Sequence, residues 1–349
     1  MKPINLFFKC FLISIMCFYW MSCTNPNQDK KKIDGGAKES SVPGIVFKRF
    51  DEDIRMMAKD SSMNSLKELR KIYGTFLDSI FCKKVMNIYN PNDEYLAKNI
   101  QNFITDKDIQ NISDTVGARF KNTDDIQNGF AKAFEHYKAL FPGKPIPNVY
   151  TMVNAFNYSV ITADSTIAIG LELYLGSDCV FYPSLQYPVY KTRKFRREYI
   201  VRDAMEGWVK SEYDDSQVKS ELLSRMVYNG KILYALDQLM PEVEDTIKIG
   251  FTKAQLDWCK ASEGAIWTFF VEKKLLFSKN EVQYARFIND GPTTKGMPKE
   301  SPANVGSWIG FQIVKKYMKE HPDTSLKQLL AMQDAQIILS GSKYKPELK

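Results

Sequence analysis

The stretch Cys10 to Met21, twelve mostly apolar residues behind Lys2 and Lys9, constrains this chain more than any other feature. A bilayer span takes about 20 apolar residues, whereas a shorter run behind a basic start is the pattern of a signal-peptide core. No later run approaches the ~18 residues that a crossing needs, so the remainder must bury its apolar side chains in a folded core. The chain supplies enough for that: 349 residues with 44% apolar and 13% aromatic side chains suffice for one large domain or two small ones. Disorder is thereby excluded for most of its length.

The apolar run ends in Trp20-Met21-Ser22-Cys23, a small residue before a cysteine, which is the pattern of a bacterial lipoprotein cleavage site. Trp20 stands where that pattern prefers an aliphatic residue, and ordinary secretion with cleavage nearby is the alternative. Residues 1–22 then form a lipoprotein signal peptide, and Cys23 becomes the acylated N-terminus. Acyl methylenes buried at about 0.8 kcal/mol each anchor a protein without any span. Residues 23–42, which lack aromatic side chains and are rich in Lys, Gly, Ser and Asn, are expected to be a flexible tether. Asp29 is isolated among lysines, without the acidic cluster of surface-exported lipoproteins, so the expected address is the periplasmic face of the outer membrane.

Composition excludes more than it specifies. His136 and His321 are the only histidines, which rules out a multi-histidine metal site. The formal charge of +7 falls to about +5 once Lys2 and Lys9 leave with the leader, too mild to argue for nucleic acid. Cys82, Cys179 and Cys259 remain after the leader and Cys23 are set aside. They allow at most one internal disulfide, and their apolar neighbours make them candidates for small buried hydrophobes. There is no Gly-rich phosphate loop, no G-x-S-x-G and no H-E-x-x-H. No cofactor and no catalytic residue is expected.

The folded part, 43–349, reads as α+β: a single, mainly helical domain around a small β-sheet. Leu66, Leu69, Tyr73, Phe76, Leu77 and Ile80 recur at helical spacing, as do Tyr95, Leu96, Ile100, Phe103 and Ile104. A third stripe, Ile126, Phe130, Phe134, Tyr137 and Phe141, follows a cap at Thr123 or Asp124 and stops at Pro142-Gly143. His136 sits off its centre, as a boundary residue. The period then changes to that of strands over 148–153, 158–162 and 166–171, with Ala163-Asp164-Ser165 as a hairpin turn. Further helices are expected over 195–213 and 215–241, over a long run to Phe277 opened by the capping box Thr252/Gln255, and over 304–320. Gly306 and Gly310, four apart, predict a close helix crossing. His321, before Pro322, ends that last helix.

Three features are candidates for function. The loop 176–190 carries Phe181, Tyr182, Tyr187 and Tyr190, too apolar to stand free in water, and is a candidate contact surface. The basic stretch 191–197 reads as a solvated face. Glu263 falls in the series Leu256, Cys259, Glu263, Trp267, Phe270, an acid inside an apolar stripe. A buried carboxylate needs a partner or a raised pKa, so Glu263 is a metal ligand, a general acid, or half of an ion pair with Arg202 or Arg286.

Several segments together resemble the gliding-motility lipoprotein family GldB. They are Lys48-Arg49-Phe50-Asp51, Ile169 to Asp178, Arg202-Asp203-Ala204-Met205-Glu206-Gly207-Trp208, Ile266-Trp267, Gly306 to Val314 and Ser342 to Pro346. The resemblance implies an envelope lipoprotein of gliding Bacteroidetes and no enzymatic activity. A distant similarity to zinc peptidases implies a degenerate zincin-like layout, in which Glu263-Gly264 matches a third metal ligand and Arg202 and Glu206 stand where histidines would. Arg202 cannot ligate a cation, so no metal is expected. The implied partners are the bilayer, through Cys23, and other envelope proteins. The alternative function is a divergent hydrolase or ligand-binding lipoprotein using Glu263, Asp203 and Glu206 around a cleft.

Overall fold

The computed structural model describes residues 45–57, 63–89 and 92–348; the signal peptide, Cys23 and the tether expected from the sequence lie outside them. At its centre are four strands, β1 (Phe47–Arg49), β2 (Asn148–Met152), β3 (Val160–Ala163) and β4 (Thr166–Gly170), in the order β1-β2-β4-β3. β1, β2 and β4 are parallel, and β3 lies antiparallel along β4. The two residues between β3 and β4, Asp164 and Ser165, both have positive φ (45° and 58°), the requirement of the hairpin turn whose twist matches the strands.

Both faces of the sheet are covered, and the central strand β4 is accordingly buried at every residue. Tyr150, Met152, Ile161 and Ala168 face a cluster containing Phe50, Tyr73, Phe76, Phe81 and Ile100. That layer is built from α1 (Phe50–Met56), α2 (Met63–Thr75) and α3 (Asp93–Thr105). Gly74, at φ 39° and ψ −119°, breaks α2, and the chain continues as a π-helical stretch over Phe76–Val85. Phe50 meets Tyr73, Phe76 and Phe81 edge-on at 4.8–5.0 Å, an arrangement that suits the aromatic quadrupole. Tyr95, expected on the buried stripe of α3, is 53% exposed.

Val149, Ile167 and Ile169 face the larger cluster. Its helices begin with α4 (Lys107–Arg119) and α5 (Asp124–Leu140), then two one-turn helices, α6 (Phe181–Ser184) and α7 (Val189–Thr192). α8 (Ile200–Glu212), α9 (Leu222–Leu239), α10 (Asp245–Ile249), α11 (Lys253–Ala261) and α12 (Glu263–Glu272) follow. α13 (Glu281–Ile288), α14 (Val305–Glu320), α15 (Leu326–Ala331) and α16 (Ala335–Ser342) complete it. The expected stripe of α5 is buried from Ile126 to Phe141. The Thr252/Gln255 capping box is present, but the expected long helix to Phe277 is two helices, broken at Ser262. α9 starts at Leu222, not Asp215. Gly306 and Gly310 lie where α14 crosses its neighbours closely, Gly310 against Gly230 and Met226 of α9 and Gly306 against Phe287.

No helix among the described residues is long and apolar enough to cross a membrane. Cys82, Cys179 and Cys259 are buried free thiols.

Candidate functional site

A polar group lies on α8, whose apolar residues Ile200, Ala204, Met205, Trp208 and Val209 pack inward. Arg202, Asp203 and Glu206 on its flank form one ion-paired group. Arg202 donates from Nη1 to Asp203 Oδ1 (2.8 Å) and to Glu206 Oε2, and from Nε to the Lys248 carbonyl (3.0 Å). Lys210 Nζ donates to Glu206 Oε1 at 2.7 Å, and Tyr174 OH donates to Asp203 Oδ2 at 3.0 Å. Two cations thus balance two anions. Burial alone would raise Glu206, but the Arg202 and Lys210 charges outweigh it and hold the carboxyl at about 2. Burial dominates at Asp203 and raises its pKa, with Arg202 opposing. Glu206 is therefore a permanent anion at neutral pH, unsuited to proton transfer.

This group borders a cleft of about 170 Å³ lined by Arg193, Lys194, Arg202, Glu206, Asp290 and Asn304. The expected solvated basic stretch is instead tied to the protein. Arg193 donates to the Gly250 carbonyl (2.7 Å), Lys194 pairs with Asp290 (2.5 Å), Arg196 pairs with Glu198 (3.0 Å) and Arg197 pairs with Asp125.

At the carboxyl ends of the parallel strands lies a second polar group. Arg49 forks onto Asp51 (2.9 and 2.6 Å) and donates to the Phe120 carbonyl (2.6 Å), while Thr151 Oγ1 donates to Asp51. Beyond β4, Glu172 is wholly buried; its Oε1 accepts the N–H groups of Asn154 (2.6 Å) and Phe156 (3.1 Å). Its Oε2 has no hydrogen-bond partner among the described residues. Burial pushes this carboxyl up to about 7 despite those donors. Glu172 stabilises a turn in which Ala155 and Phe156 both have positive φ. It stands between Leu171 and Leu173 in an apolar run, a signal by which a buried acid could have been found.

The sequence candidates fare differently. Glu263 begins α12, half-buried, and accepts a hydrogen bond from Tyr344 OH at 2.8 Å. The expected ion pair is absent, because Arg202 is committed to Asp203 and Glu206, and Arg286 lies over the Phe287 ring (4.7 Å). The break at Ser262 takes Glu263 out of the stripe that made it look deeply buried. No hydrogen bond or ion pair among the described residues joins Glu263 to the α8 group. Among the described residues no cluster of three or more His, Cys, Asp or Glu could hold a metal ion.

In the loop 176–190, Tyr182 is 1% exposed and donates its hydroxyl to the Glu172 carbonyl (2.9 Å). It is a core residue, not a contact residue. Phe181 and Tyr187 are half-buried, Phe181 against Phe156 and Tyr187 against Tyr182 and Phe195, and Tyr190 is half-buried. The large apolar side chains exposed here are Val180, Leu185 and Val189. His136 is a boundary residue, its Nδ1 3.1 Å from the Leu239 carbonyl. His321 ends α14 and stacks on Tyr317 at 4.2 Å.

Fold and site together define a mainly helical α+β domain with a polar cleft bordered by ion pairs. A family model described as gliding motility protein GldB matches residues 29–346. The chain belongs to that family, a family of gliding-motility lipoproteins anchored in the cell envelope. No curated protein and no solved structure matches it.

Proposed function

We propose that this protein is a non-catalytic lipoprotein that holds other envelope proteins together at the periplasmic face of the outer membrane, anchored by acyl chains on Cys23. The observation that supports this most is the neutralisation of the α8 acids. Arg202 and Lys210 occupy the carboxylates of Asp203 and Glu206, leaving no free acid beside the cleft to activate water. The contact surface is the outer side of the loop 176–190, where Val180 and Val189 are 76% and 81% exposed. Together with Leu185 they are the large apolar side chains this loop leaves exposed.

The test is cross-linking in intact cells of the host, with tagged full-length protein and a Cys23→Ala control. The expected result is recovery of the same envelope proteins from the wild type, lost in the control and in Val180→Asp/Val189→Asp. Recovery of no partner from the wild type overturns the reading.

A further inference from the structure

Lys231, on α9, is 5% exposed. Its ammonium donates to the carbonyl oxygens of Leu330 (3.1 Å) and Met332 (2.6 Å) at the end of α15. These acceptors carry no charge, and no ion pair reaches Lys231 among the described residues. An ammonium has three N–H groups, so one remains unused. Buried charges in proteins are ordinarily paired; here burial alone acts on the amine and lowers its pKa to about 8. Capping two helix-end carbonyls does not by itself require a buried full charge, since a neutral donor would serve.

The amine lines a cleft of about 300 Å³ whose walls come from the end of α8 and the chain after it, from α9, and from the end of α15. Two acids share it. Glu212 is already engaged by Lys144 Nζ (2.9 Å) and Tyr137 OH (2.6 Å). Asp214 is exposed and held by Ser216 N–H (3.0 Å). The aromatic wall is Tyr213 and Tyr228, fixed to each other by the Tyr228 hydroxyl on the Tyr213 carbonyl (3.0 Å). The cleft therefore offers a buried cation without an ion pair, an exposed anion and two aromatic side chains in one lining. Its volume lies at the small end of ligand sites.

We propose that this cleft binds a small zwitterion of the amino-acid class, with the carboxylate on the free N–H of Lys231 and the ammonium facing Asp214. A plain dianion such as phosphate would meet Asp214 at the mouth without a compensating positive group. This site is independent of the docking role above.

Competitive acylation tests it on full-length protein in detergent. Acetic anhydride labelling is read at every lysine by peptide mass spectrometry, with glycine, L-alanine, L-glutamine, acetate, methylamine or inorganic phosphate present at millimolar concentration. The expected result is loss of Lys231 labelling relative to the other lysines, whose common decrease measures consumption of the anhydride by the added amines, with at least one amino acid and with neither methylamine nor phosphate. In Asp214→Asn the protection by that amino acid weakens toward the level given by acetate. In Lys231→Met, calorimetric binding of the same amino acid is lost. Because the labelling uses the wild type, it decides the matter even where Lys231→Met does not fold. Absence of protection by every amino acid overturns the proposal, as does equal protection by phosphate.

Discussion

A Cβ built on Gly310 would lie 1.8 Å from the carbonyl oxygen of Met226. The obstacle is backbone of α9, so no side-chain rotation relieves it, and the reciprocal position, Gly230, would meet the Gly310 carbonyl group at 2.2 Å. Gly310→Ala must push α14 away from α9 and loosen the largest apolar cluster. Overpacking of this kind costs about 1–3 kcal/mol, and displaced backbone belongs at the upper end. The urea midpoint should fall accordingly, whereas Gly143→Ala, whose Cβ meets nothing within 4 Å but whose φ is 81°, should lose only about 1 kcal/mol through backbone strain. An unchanged midpoint in Gly310→Ala would show that the two helices do not cross so closely.

That crossing was legible in the sequence because glycines four apart on one helix face have few other uses. The α5 stripe was legible for a similar reason: Phe130, Phe134 and Tyr137 line one buried side of a helix whose other side meets water. β1 was not, since three residues, Phe47–Arg49, acquire strand geometry only by pairing with Val149–Thr151 a hundred residues later. The break at Ser262 was hidden because apolar residues at helical spacing continue on both sides of it. At the site, a helical projection of α8 places Glu206 off its apolar face but cannot show that Lys248, from α10, contributes a carbonyl to Arg202. Pairing across elements has no local signal.

Glu172 gives stability an unusual slope with pH. Its folded pKa is near 7 and an unfolded glutamate titrates near 4.3, so between those values the native state holds a proton that the unfolded state has released. The unfolded state binds fewer protons there, and stability falls as pH rises through this window, by roughly 3 kcal/mol in all, levelling off above about 7. Glu206, held at about 2, acts in the opposite sense: its stabilisation is complete above an unfolded pKa of about 4.3 and is lost as pH falls toward 2, outside this range. Glu172→Gln keeps an acceptor for Asn154 N–H and cannot ionise. Denaturant curves at pH 5, 6, 7 and 8 should show the decline in the wild type and a flatter profile in Glu172→Gln. Parallel profiles would exclude Glu172 as its source.

Arg202 is the cation on which two carboxylates depend, and its side chain is only 14% exposed. Arg202→Met leaves Asp203 and Glu206 repelling each other beside the cleft, with Lys210 alone against them. Breaking a buried pair costs about 3–5 kcal/mol, and the residual solvent at these carboxylates favours the lower figure. Adding Glu206→Gln should restore part of the loss, because it removes the stranded charge. A double-mutant cycle on Arg202→Met and Glu206→Gln should therefore return a coupling of about 1–3 kcal/mol. Simple additivity would mean that the two groups do not interact.

The three thiols report on opening of the fold. Cys82 belongs to the cluster under one face of the sheet, Cys179 and Cys259 to the cluster on the other. Burial pushes Cys82 and Cys259 up to about 12 and raises Cys179. The reactive species is the thiolate, so in native protein an aromatic disulfide reagent should find almost none at pH 8. Cys179, 7% exposed and close to the surface loop, should react first, by a local opening of residues 176–190 that leaves the helix core intact. Cys82 and Cys259 should wait for the larger openings that expose their own clusters, which are of higher free energy. Mass spectrometry of the modified peptides against time, at increasing subdenaturing urea, separates the two classes: labelling of Cys179 should depend weakly on urea and that of Cys82 and Cys259 steeply. If all three labelled together with one steep urea dependence, the loop would be part of the same cooperative unit as the core. Its exposed side, Val180 to Val189, would then be a rigid face and not one that opens.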